Sequence, residues 1–287
     1  LSVGVGASAD SAAASLGIGA SGVGNVDVSK GQWSVGGALI VGGGGTGSLT
    51  VESGGLVSSG QGQIGTVAGS TGTATVTGTG SQWSAGIITI GGGGFGALKV
   101  TDGGTVVASQ IVIGAGGSLG GDGGTMSANV VNQGGLVRPG DAPGLLRISG
   151  DYTQSSGTLL FEIDGTQPGQ FDQLLVSGQA LFTGGTIDIE FGGGFLPQEG
   201  DVFDLMAALL GLSNQGVNVE VLGLPAGMDF TETFTDHGLS VVFTGEGGGG
   251  EVGGGTNVPE PPVLALLCAA LTLLLFASRR SAVRSNA

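Results

Sequence analysis

The sequence predicts an all-β fold, a right-handed parallel β-solenoid (β-helix) with a C-terminal β cap, followed by a flexible glycine linker and one transmembrane helix. Three observations carry that expectation. Short runs such as Leu49-Thr50-Val51, Ala74-Thr75-Val76, Ile87-Ile88-Thr89-Ile90 and Leu98-Lys99-Val100 place β-branched or large apolar residues at alternate positions, the pattern of half-buried strands. Glycine pairs bound these runs, as tight turns require. Gln32-Trp33-Ser34 returns as Gln82-Trp83-Ser84, and the sequence after each copy returns with it. Strands this short cannot bury one face alone, so stacking successive coils is the economical way to a core, with glycines at the φ > 0 corners. A sandwich built from the same strands is the structural alternative.

Composition narrows the class. The 287 residues include 66 glycines, yet mean hydropathy is +0.40. Disordered glycine-rich chains lack such apolar content, and collagen needs a strict triplet that is absent here. The only cysteine, Cys268, falls in the predicted span, which excludes a disulfide framework, a cysteine zinc site or a thiol nucleophile before it. Net charge is −15, and only Lys30, Lys99, Arg138 and Arg147 are basic before Arg279. No phosphate-binding footprint results, so nucleic acid is not expected as a partner. The acidic balance keeps an apolar β-protein soluble and self-repelling.

Residues 1–21 are expected to be a truncated or poorly ordered N-terminal region. They carry neither a basic segment nor a continuous apolar run, so an export signal is expected upstream of Leu1. Residues 22–134 are the glycine-rich repeats. After Trp33 come Ile40-Val41, Gly42 to Gly45, then Gly47-Ser48-Leu49-Thr50-Val51; after Trp83 come Thr89-Ile90, Gly91 to Gly94, then Gly96-Ala97-Leu98-Lys99-Val100. The second copy is one residue shorter after its tryptophan, as expected of an indel in a turn. Over roughly residues 22–110 this pattern is similar to repeats of PEP-CTERM proteins and autotransporter-type passengers, a resemblance that implies a scaffold with no chemistry attached to its motif.

Within the repeats, the tetraglycines lack the Lys-Ser/Thr of a phosphate cradle and are expected to be turns. Trp33 and Trp83 can be read as a sugar-stacking platform, but their identical place in each copy favours structural anchors. Gly-Gly-Asp-Gly-Gly around Asp122 lacks the repeated nonapeptide spacing of calcium-binding coils.

Residues 135–245 continue as strands after the turn cluster Arg138-Pro139-Gly140-Asp141-Ala142-Pro143-Gly144. The run from Gly157 to Met206 resembles the segment that closes autotransporter passenger β-helices, which implies final coils and a cap. Asp188 and Glu190 alternate with Ile187, Ile189 and Phe191, so both carboxylates project from one strand face. A glycosidase wants two such carboxylates flanking a cleft, yet no Lys or Arg lies between Arg147 and Arg279. A solvated face is the expectation. His237, the only histidine, sits in Thr235-Asp236-His237-Gly238, which reads as a hairpin turn. No catalytic residue, metal site or cofactor is expected.

Residues 246–258 are a glycine-rich linker. Residues 259–287 begin Pro259-Glu260-Pro261, continue in an apolar run predicted as a transmembrane helix over residues 263–278, and end with Arg279, Arg280 and Arg284. Such a helix spans roughly 25 Å, short but workable with snorkelling arginines. The arginines set the C-terminus on the cytoplasmic side.

Triplet, span and basic end in this order resemble the PEP-CTERM sorting tail of Gram-negative bacteria. The resemblance implies recognition by an exosortase-type processing enzyme, passage through the inner membrane, and delivery to the cell surface or extracellular matrix. It implies a non-enzymatic structural protein associated with exopolysaccharide. An adhesin or autotransporter-like passenger is the alternative, and a polysaccharide-degrading β-helix enzyme built on Asp188 and Glu190 a more distant one.

Overall fold

A computed structural model describes residues 1–224 and 227–245. Within them the chain is all strand and turn, with no helix, and winds into a parallel β-solenoid of about 8 turns. Each coil contributes to three faces. The first face stacks Val23–Ser29, Thr46–Glu52, Thr71–Thr77, Phe95–Thr101 and Gly117–Gly120. The second takes the opening residues of Gln32–Val41 and Leu56–Ile64, then Gln82–Ser84 and the start of Thr105–Ile113. The third takes the closing residues of those long strands together with Ile87–Ile90.

Alternation decides what points inward. On the first face Leu49, Ala74, Leu98 and Leu119 stack in register and are buried. On the third, Val41, Ile64, Ile90 and Ile113 do the same. Every inward side chain thus meets its counterparts one coil above and below, which is how short strands share a single core. Trp33 pairs with Val57 and Val57 with Trp83, so the repeat of fifty residues is two coils. The one-residue indel lies at Gly36-Gly37, where the pairing register shifts between the second and third faces.

The tetraglycines turn the chain from the third face to the first. At Gly91 φ is +68°, and a side chain there would run into the backbone of Gly116 and Gly117 on the next coil. Only glycine meets both the left-handed conformation and the close approach.

Two boundaries differ from the sequence expectation. Residues 1–21, expected to be truncated or poorly ordered, supply a coil: Ser2–Val3, Ser8–Ser11 and Ala14–Leu16 pair in parallel with the strands that follow. The division expected between residues 134 and 135 falls inside one strand, Thr125–Arg138, which pairs with coils on both sides. Stacking continues through Tyr152–Ile163, Thr186–Phe191 and Asn218–Leu222. It then changes sense: Gly238–Gly245 lies antiparallel to Val202–Ala208, and Met228–Phe234 antiparallel to Gly238–Gly245. Phe203 and Phe243 of these strands make edge-on ring contacts with each other and with Phe171, Phe191 and Phe195.

Candidate functional site

The two tryptophans are core residues. Trp33 and Trp83 are 3% and 0% exposed, and each indole Nε1–H donates to a serine of the preceding coil, Ser11 Oγ at 3.2 Å and Ser59 Oγ at 3.1 Å. Their rings are closed to a sugar. What the Gln-Trp-Ser motif presents outward is Gln32 and Ser34, then Gln82 and Ser84, which with Asp10, Leu56 and Ser58 line a shallow groove of about 250 Å³ on the second face.

A second groove, of about 360 Å³, opens on the first face around Phe95, which is 72% exposed. The sequence reading did not single it out. The signal was present: Phe95 directly follows Gly91 to Gly94, the place where Thr46 follows Gly42 to Gly45. In the folded chain Phe95 pairs with Thr71, Thr71 with Thr46 and Thr46 with Val23, so one outward column runs valine, threonine, threonine, phenylalanine. Beyond Phe95 the next coil offers glycine, since Gly96 pairs with Gly117, and Ser118 then pairs with Leu136. Small residues of that coil, Ala115, Gly116, Gly117 and Ser118, floor the groove.

The acids follow strand logic. Asp188 and Glu190 share the outward face of Thr186–Phe191; Glu190 lies opposite Glu162 and Asp188 opposite Glu220 on neighbouring coils. Burial pushes both Asp188 and Glu162 up from their ordinary values, with Arg138 drawing Glu162 back and Glu190 adding to the rise. Arg138 stands 4.0 Å from Glu162. Asp122 Oδ1 accepts the Leu145 N–H at 3.0 Å, so this aspartate caps a turn. Asp172 is buried, and its oxygens accept the N–H groups of Gly144 at 2.7 Å and Glu162 at 2.9 Å. Burial pushes its pKa up to about 7 despite those bonds.

His237 occupies the turn between Met228–Phe234 and Gly238–Gly245, where its carbonyl accepts the Ala208 N–H at 2.8 Å and its own N–H donates to Thr235 Oγ1 at 3.3 Å. Among the described residues no group of three or more His, Cys, Asp or Glu is placed to hold a metal ion, and no helix is long and apolar enough to cross a membrane. Pro259, Glu260, Pro261, Arg279, Arg280 and Arg284, with the linker and the expected span, lie outside the described residues. No protein-family model and no curated protein matches the chain.

Proposed function

We propose that the chain is an exported, non-enzymatic structural protein of the cell surface or extracellular matrix, sorted by its C-terminal tail and associated with exopolysaccharide. The observation that carries the reading is the order Pro259-Glu260-Pro261, apolar run, Arg279-Arg280 at the end of an acidic β-solenoid. An exosortase-type enzyme would process the tail while the apolar run holds the chain in the inner membrane with its C-terminus cytoplasmic. The glycine linker lets the folded part stand clear of the bilayer. The antiparallel ribbon after the last coil serves as the cap, covering a strand edge that would otherwise recruit another molecule. About 8 coils at a spacing of about 4.8 Å make a stiff rod of roughly 40 Å, a suitable element for a matrix.

The mass of the C-terminal peptide recovered from cell-surface material tests this. A terminus upstream of residue 263 is expected. Intact chain ending at Ala287 and confined to the cell interior would refute the proposal.

A further inference from the structure

We propose that the groove beside Phe95 binds one unit of an uncharged polysaccharide, the apolar face of the sugar ring lying on the phenyl ring; this rests on the surface or matrix reading above and names its ligand class. Three observations converge on the groove. Phe95 is 72% exposed on a strand whose inward residues already fill the core, so packing does not account for its ring. The same outward column carries Val23, Thr46 and Thr71 on the preceding coils, so the fold does not require an aromatic ring there. The adjoining coil brings only small residues to this place, Ala115, Gly116, Gly117 and Ser118, and the open groove they leave beside the ring holds about 360 Å³.

The lining matches a neutral sugar. An exposed ring supplies a flat apolar surface, Thr71, Thr73 and Ser118 supply hydroxyls that donate and accept, and Leu136 closes the far side. No acidic or basic residue lines the groove. Lys99, two outward positions along the strand from Phe95, is held by Asp141. On a chain of net charge −15 an acidic glycan would be repelled and would find no cation to receive its carboxylates.

The test uses the full chain in mild detergent, titrated with laminarin and dextran, which are uncharged β- and α-glucans, and with alginate, a polyuronate. The expected result is binding to at least one neutral glucan and none to alginate. Phe95→Thr should weaken that binding about tenfold, the worth of one aromatic stack. Phe95→Trp should retain it, and both variants should melt with the parent. Equal binding by Phe95→Thr, alginate binding as tight as glucan binding, or failure of both glucans to bind would overturn the proposal. Tail processing is read separately: a processed chain that ignores glucans overturns this inference alone, and a glucan-binding chain whose tail stays intact overturns the sorting reading alone.

Discussion

Trp83 fits because Gly62 does not compete with it. Gly62 occupies an inward position on the coil below, and a Cβ added there would stand 2.7 Å from Trp83 Cζ2 and 3.0 Å from Ile88 Cγ1. Gly62→Ala is therefore an overpacking change and should cost about 1–3 kcal/mol in a denaturant titration. Trp83→Ala leaves a cavity instead, at about 3–5 kcal/mol. The anchor was legible in the sequence because tryptophan recurs; its glycine counterpart was not, because the reason for Gly62 lies on another coil. Asp172 shows the same limit. Its carboxylate accepts one N–H from Gly144, in the turn cluster, and one from Glu162, on the strand Tyr152–Ile163, an arrangement no local pattern announces. Asp172→Ala orphans both donors and should cost about 2–4 kcal/mol, read as a lower midpoint with an unchanged slope.

At the scale of the element, the division that the sequence suggests between residues 134 and 135 marks a change in how the coils turn. Up to Ile113 the third face stacks aliphatic residues, and the chain leaves it through glycine corners. In the same column the next two residues are Asn132 and Gln154, both fully buried. Asn132 Oδ1 accepts from Gly135 N–H at 2.9 Å while its Nδ2 donates to Gly135 O at 3.1 Å and Gln154 Oε1 at 3.2 Å. Gln154 Nε2 donates to Thr186 O at 2.9 Å, and Tyr152 donates its phenolic hydrogen to Gln154 Oε1 at 2.6 Å.

Side-chain amides here satisfy backbone groups that the earlier corners pair with one another. The later coils can therefore turn within continuous strands. The sequence reading located the change and attributed it to organisation, because amides in a strand do not reveal whether they face water or core. Asn132→Leu keeps a similar size but strips the corner of its hydrogen-bond partners. It should destabilise by about 2–4 kcal/mol, whereas Gln133→Leu, on the exposed neighbouring position, should shift the denaturation midpoint little.

For the whole molecule, the stacking that builds the core also stacks charge. Parallel register places Glu162 beside Glu190 and Asp188 beside Glu220, like charges on adjacent strands, in a chain that carries −15 overall. Burial raises the pKa of Asp172, Glu162, Asp188 and Asp204, all in one direction. A carboxyl whose folded value lies above its unfolded value binds its proton more tightly in the folded state. Its contribution is complete below the ordinary carboxylate range and is lost as pH rises, for Asp172 from its ordinary 3.8 through about 7. The melting temperature should therefore rise as pH is lowered from about 8 to about 5, and Asp172→Asn, which cannot titrate, should flatten part of that slope. Added salt should raise the melting temperature at the upper pH more than at the lower, because screening relieves repulsion only where the carboxylates are charged. Thermal scans at two pH values and two salt concentrations give both slopes. A melting temperature that falls on acidification over this interval would show that the stacked acids are stabilised by contacts other than the hydrogen bonds and neighbours described above.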